Sequence, residues 1–114
     1  MTERQSTPRM TYATMSVLRA LLEDPTRELY GLEICAAAGL PTGTVHPILA
    51  RLEGLGWLES DWEQTSPQQQ GRPRRRYYHL SEHGAMRARA ALDRADVQTA
   101  RLRALRPGAT GGTA

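Results

Sequence analysis

The spacing of apolar residues changes at Gly56, and that change dictates the kind of fold available. Upstream the spacing is helical: Met15, Val17, Leu18, Leu21 and Leu22 recur on one face between about Thr11 and Glu23. Val45, Ile48, Leu49, Leu52 and Leu55 form a second stripe of the same period. Downstream the period falls to two, in Trp57-Leu58-Glu59-Ser60-Asp61-Trp62 and again in Arg76-Tyr77-Tyr78-His79-Leu80, which read as antiparallel partners in a hairpin. A chain of 114 residues suits one domain with one modest core. The expected fold is therefore mainly α with a small β-hairpin: three helices, two strands and a long last helix.

Punctuating residues set the boundaries. Asp24-Pro25 ends the first helix, because proline disfavours a helical residue before it. A second helix runs from about Tyr30 to Ala38, and Gly39 supplies the left-handed residue that closes it. The third begins at Thr42 or Thr44, either able to cap it. Pro47 favours the later start, which leaves the proline in the tolerant first turn. Between the strands, Gln64 to Pro73 holds Ser-Pro, three glutamines and Gly-Arg-Pro, and reads as a flexible hairpin tip. Ser81 caps the last helix, which runs to about Arg106. Residues 1–10 read as a disordered arm, 11–80 as the folded body, 81–106 as the long helix and 107–114 as a disordered tail.

Composition removes several functional classes. Cys35 is the only cysteine, so no intrachain disulfide forms, and a reducing cytoplasm is expected. No apolar run approaches the ~20 residues that span a bilayer. His46, His79 and His83 make no metal-ligand pattern, and Ser81 separates the last two, so no metal or cofactor is expected. Cys35 reads as a core filler and Trp57 and Trp62 as core and hairpin residues. Without a nucleophile–base pair, phosphate loop or paired carboxylates on one face, no enzyme is expected. All 15 basic residues are arginine, which fits either a codon bias or selection for phosphate and base-edge contacts.

The placement of the arginines is more informative than their number. Three helices followed by a hairpin with a basic tip is the order of a winged helix-turn-helix, whose third helix enters the DNA major groove. That helix turns Thr44, His46, Pro47, Ala50 and Arg51 outward, with Thr42 at its start. Gly71-Arg72-Pro73-Arg74-Arg75-Arg76 puts four arginines in five positions on the wing, suited to the phosphate backbone or the minor groove. Glu59, Asp61 and Glu63 on the opposing strand could pair with Arg74 to Arg76, so Arg72 and Arg74 are expected to be the least engaged. The candidate DNA-binding residues are thus Thr42, Thr44, His46, Pro47, Arg51, Arg72, Arg74 and Arg75.

Several stretches together resemble the PadR family of bacterial winged-helix regulators. They are Leu29-Tyr30-Gly31-Leu32-Glu33-Ile34, the run from Pro41 to Glu53, Gly56-Trp57-Leu58, and the wing from Gly71 through Leu80 to Gly84. The resemblance covers about residues 12 to 106. It implies a homodimer that represses transcription, relieved in many members by a small aromatic or lipophilic effector. Leu32 stands where the family usually has an aromatic residue, and His46 where it usually has tyrosine.

The last helix is the expected dimerisation element. Ala88, Leu92, Ala95, Thr99 and Leu102 follow four-three heptad spacing, with Leu105 beside the seam. About 25 residues of helix extend ~37 Å, more than a small three-helix body covers. The leading functional reading is a dimeric, sequence-specific regulator on a palindromic operator in double-stranded DNA. Two alternatives remain at this level: a winged-helix module whose basic wing binds an acidic protein, and a small-molecule sensor that no longer binds DNA.

Overall fold

The computed structural model describes residues 7–105. Helix α1 spans Tyr12–Leu22, with the Thr11 hydroxyl accepting from the Thr14 amide at 3.1 Å as its cap. After the two-residue strand β1, Leu29–Tyr30, helix α2 covers Gly31–Ala38 and closes on Gly39 at φ 70°. Helix α3 is Thr42–Gly54 and strand β2 is Leu58–Trp62. A one-turn helix α4, Pro67–Gln70, leads to strand β3, Arg76–Leu80, and helix α5 runs from Glu82 to Leu105.

Four details differ from the sequence-based expectation. The sheet has three strands, ordered β1-β3-β2, because Leu29 and Tyr30 pair with Tyr78 and Tyr77. Two residues are too short to show a period, so β1 leaves no signature in the apolar pattern. Helix α3 begins at Thr42 rather than Thr44, with the Pro41 carbonyl accepting from the amides of Thr44 and Val45. Pro47 therefore lies in the second turn, where it cannot donate to the Gly43 carbonyl; Gly43 is exposed, so water can satisfy that oxygen. The wing tip is not a featureless loop: Ser66 and Gln69 cap each other's backbone amides across α4. Finally, Pro8 is buried and Met10 packs on the core, so the end of the expected arm belongs to the body. The rest of the arm and the tail beyond Leu105 lie outside the described residues.

One core unites these elements. Val17, Leu18, Ile34, Val45, Leu49, Leu52 and Trp57 are wholly buried, and Ala85, Ala88, Ala91 and Leu92 bring the first half of α5 into the same cluster. Ser81 ties this helix down by accepting from the Gly84 amide and donating to the Gly56 carbonyl. Gly84 itself lies directly against Trp57, the residue before β2. From Asp93 to Leu105 every side chain of α5 is exposed except half-buried Ala95. The distal half thus projects from a molecule measuring 62 × 38 × 23 Å.

Candidate nucleic-acid interface

The outward face of α3 and the wing meet along one cleft. The N-terminal half of α3 exposes Thr42, His46 and Pro47, and Arg51 is exposed in its last turn, while Thr44 is half-buried. Val45, Leu49 and Leu52 on the opposite side are buried and fix how the helix is presented. His46 lies over the start of α2, where a β-carbon on Gly31 would stand 3.2 Å from His46 Cε1. Opposite His46, the wing residues Arg72 to Arg76 form the other wall of a cavity of about 530 Å³. His46 of α3 and the wing arginines therefore share a single concave, basic surface.

The four arginines of the wing have different occupations. Arg72, expected to be among the least engaged, is the most firmly held: its Nη1 and Nη2 donate to Glu63 Oε1 and Oε2, both at 2.8 Å. The helical turn α4 reverses the chain so that residue 72 returns to residue 63, a pairing the strand alternation does not reveal. Glu63 is only 13% exposed and also accepts from the Arg75 amide. Arg76 reaches Glu53 on α3 at 3.2 Å and Ser60 at 3.0 Å, joining the wing to that helix. Arg75 lays its guanidinium 4.0 Å above the Tyr30 ring, which meets Tyr77 edge-to-face at 5.7 Å. Arg74 is exposed and meets no acceptor among the described residues. The expected cross-strand partner Glu59 is taken instead by His79, at 3.0 Å.

The bidentate partner makes Glu63 unusually acidic. The Arg72 hydrogen bonds, opposed by partial burial, hold its carboxyl at about 2, below the ordinary 4.5. A carboxylate with a depressed folded-state pKa stabilises the fold above its unfolded value, and that contribution is lost as pH falls from about 4.5 to about 2. The wing tip is accordingly expected to stay docked at mildly acidic pH and to release only near pH 2. Carbon-detected NMR of the Glu63 carboxyl should show this low midpoint in the wild type and an ordinary carboxylate midpoint in Arg72→Ala. An ordinary midpoint in the wild type would mean that the fork does not persist in solution.

The seam expected to serve dimerisation is divided by the fold. Ala88 and Leu92, placed on it from the heptad spacing, are buried in the core of their own domain and present no surface to a second chain. The apolar period is real, but its first two turns serve the intrachain core. Thr99, Leu102 and Leu105 stay exposed beyond the body, and Ala95 is half-buried at the boundary. Met86 and Val97, likewise exposed, lie outside the heptad pattern. Among the described residues no group of three or more His, Cys, Asp or Glu side chains could hold a metal, and no helix is long and apolar enough to cross a membrane.

This arrangement has relatives. The model of the transcriptional regulator PadR-like family matches residues 17–90, from within α1 to the middle of α5. The chain belongs to that family. A PadR family transcription regulator from Clostridium difficile R20291 is 22% identical, with 84% of this chain and all of that one covered at a TM-score of 0.64. The smu.1704 structure from Streptococcus mutans UA159 is 25% identical over 81% of this chain and 85% of that one, at a TM-score of 0.61. AbfR, whose overoxidized form is known bound to DNA, is 24% identical over 74% of this chain and 56% of its own, at a TM-score of 0.58. The likenesses to the clostridial protein and AbfR concern the fold alone. No functionally curated protein matches the chain. Membership of the PadR-like family makes this protein a transcriptional regulator with a winged helix-turn-helix and a long C-terminal helix.

Proposed function

We propose that the protein is a homodimeric, sequence-specific DNA-binding repressor of the cytoplasm that acts at palindromic operators and is relieved by a small effector. The observation that carries DNA binding is the shared cleft. His46 on α3 and the wing arginines face the same space, with Arg74 unpaired among the described residues and the Arg75 guanidinium held on an aromatic ring rather than by a carboxylate. In this reading α3 enters the major groove with Thr42, Thr44, His46 and Pro47 leading, while Arg51, Arg74 and Arg75 meet flanking phosphates. Arg72 is a positioning residue that holds the wing tip through Glu63. A module built to bind an acidic protein would not need the N-terminal face of α3 beside its arginines.

The homodimer is supported by the distal half of α5. Asp96 is still tied to Arg19 of α1 at 3.1 Å, but the stretch from Val97 to Leu105 beyond it is exposed throughout, with Leu102 62% and Leu105 79% exposed. A lone helix of that length is marginal in water unless its apolar side chains are covered. A second copy meeting it along Ala95, Thr99, Leu102 and Leu105 supplies that cover.

The test of DNA binding is its salt dependence. Arg74→Ala with Arg75→Ala should weaken binding to all duplexes alike and reduce the magnitude of the log–log salt slope by about 0.9 for each phosphate left without its arginine. Fluorescence anisotropy from low to moderate salt reads this directly. A slope unchanged from wild type would remove the wing from the interface.

A further inference from the structure

Two of the four wing arginines are occupied by carboxylates of their own chain. Nη1 of Arg72 donates to Glu63 Oε1 at 2.8 Å and to the Pro73 carbonyl at 3.1 Å. Nη2 donates to Glu63 Oε2 at 2.8 Å and to Gln70 Oε1 at 3.3 Å. All four terminal N–H groups of this guanidinium thus have acceptors inside the wing, and only Nε–H is left for a phosphate. The pair is partly buried, so salt screens it less than an ordinary surface pair. Arg76 is held in the same manner: Nε donates to Ser60 Oγ, Nη2 donates to Glu53 Oε2, and Ser60 donates to that same carboxylate oxygen at 2.6 Å. Strands β2 and β3 are already paired over five residues each, so the hairpin does not depend on either glutamate to form.

We infer that Glu63 and Glu53 are specificity-determining residues, which act by withholding Arg72 and Arg76 from the DNA backbone; this rests on the DNA-binding reading. Phosphate contacts carry no sequence information, and each further cation strengthens binding to every duplex. What a regulator needs is the ratio of its affinity for a preferred site to its affinity for all others. On a preferred site, α3 in the major groove fixes where the wing lies, so a freed arginine gains only if a phosphate stands at that place. On any other sequence the protein can slide and turn until the arginine finds one. The gain therefore falls mainly on non-specific binding. Glu63 acts in the opposite direction on the arginines that stay open. It accepts from the Arg75 amide at 3.2 Å, and so holds the Arg74-Arg75 segment ready in one position.

Salt titrations of the full-length protein on a random-sequence duplex, followed by fluorescence anisotropy, read how many phosphates are engaged. Glu63→Gln keeps the shape of the side chain and removes its charge. It should raise affinity for this duplex at low salt roughly threefold or more, and steepen the log–log salt slope by about 0.9. Glu53→Gln should do the same through Arg76. Glu63→Gln combined with Arg72→Gln should return the slope to its wild-type value, because the freed cation is gone. Asp61, on the same hairpin, is exposed and is hydrogen-bonded to none of the wing arginines, so Asp61→Asn makes the same change in net charge and should leave the slope unaltered. None of these residues belongs to the buried core. In selection from a random-sequence pool, both glutamine variants should enrich preferred sequences roughly threefold less than the wild type. Weaker random-duplex binding or an unchanged slope in either variant would overturn the role of that glutamate, leaving it a brace for the wing. An equal rise in Asp61→Asn would assign the effect to net charge and overturn the inference. Undiminished enrichment beside a steeper slope would also overturn it. A wild type that binds duplexes while its variants match it refutes this inference alone, whereas a wild type that binds no duplex refutes the DNA-binding reading as well.

Discussion

A Leu102→Asp variant is expected to be a folded monomer whose affinity for a palindromic site falls roughly a hundredfold or more. Leu102 is 62% exposed and lies beyond the body, so aspartate there costs the isolated chain little. In a symmetric dimer the same substitution places two carboxylates in a dry interface with no cation provided, a penalty of several kcal/mol per copy. Losing the dimer separates two half-site contacts that otherwise raise each other's effective concentration. Leu92→Asp should behave quite differently, although the two residues lie on one heptad seam. Leu92 is 5% exposed within its own core, and a carboxylate there should destabilise the fold itself by roughly 4 kcal/mol or more. Sedimentation equilibrium with urea unfolding separates the two outcomes. A folded Leu102→Asp dimer would move the interface away from this strip, with the exposed Met86 and Val97 the next candidates.

Gly84→Ala is expected to destabilise the protein by about 3 kcal/mol, against the usual sign of that change in a helix. Alanine in a helix interior is ordinarily the better residue by ~0.5–1 kcal/mol. Here the added β-carbon would sit 2.6 Å from Trp57 Cα and closer still to the Trp57 carbonyl oxygen. The obstacle is backbone, which cannot rotate aside, so α5 must lift from β2 and loosen the packing of Ala85, Ala88 and Leu92. A domain of this size should drop by on the order of 10 °C or more in Tm. Gly54→Ala serves as the control, since a β-carbon there has nothing within 4 Å. Equal melting temperatures for the two variants would mean that α5 does not sit as closely on β2 as the structure places it.

Much of this fold is legible because each main element carries its own punctuation. Ser81 caps α5 where its hydroxyl is expected to, Gly39 closes α2 in the left-handed conformation, and β3 has the predicted limits. Illegible features depend on chain that is close only in three dimensions. Leu29-Tyr30 becomes a strand because β3 offers it an edge, and Arg72 finds Glu63 because α4 folds the tip back. The cap of α4 is nevertheless visible in principle: Ser66 followed three residues later by Gln69, with Pro67 at the first helical position, is a helix-start signal inside an otherwise turn-like segment. Pro47 misleads in the other direction, since one missing hydrogen bond at an exposed glycine carbonyl does not outweigh starting the helix at Thr42.

The candidate interface is legible in its parts and not in its balance. The outward face of α3 and the basic wing follow from periodicity and composition, but which arginines remain open depends on Glu53 and Glu63. The same limit applies to α5: an apolar residue at heptad spacing must be covered, and spacing alone does not say whether its own domain or a second chain does it. Trp62 lies in the hairpin, as its period predicts, yet only the fold reveals its indole on the wall of the basic cleft.

Selection of bound duplexes from a random-sequence pool by the wild-type protein is the most direct measurement of sequence-specific recognition by a symmetric pair of α3 helices. An inverted repeat should emerge, with half-site centres about one helical turn or ~34 Å apart. His46→Ala should alter the preference at one symmetry-related pair of positions, by roughly 1–3 kcal/mol, and leave the spacing intact. A pool that shows no enrichment, or enriches only a single asymmetric site, would contradict recognition by a dimeric winged helix-turn-helix.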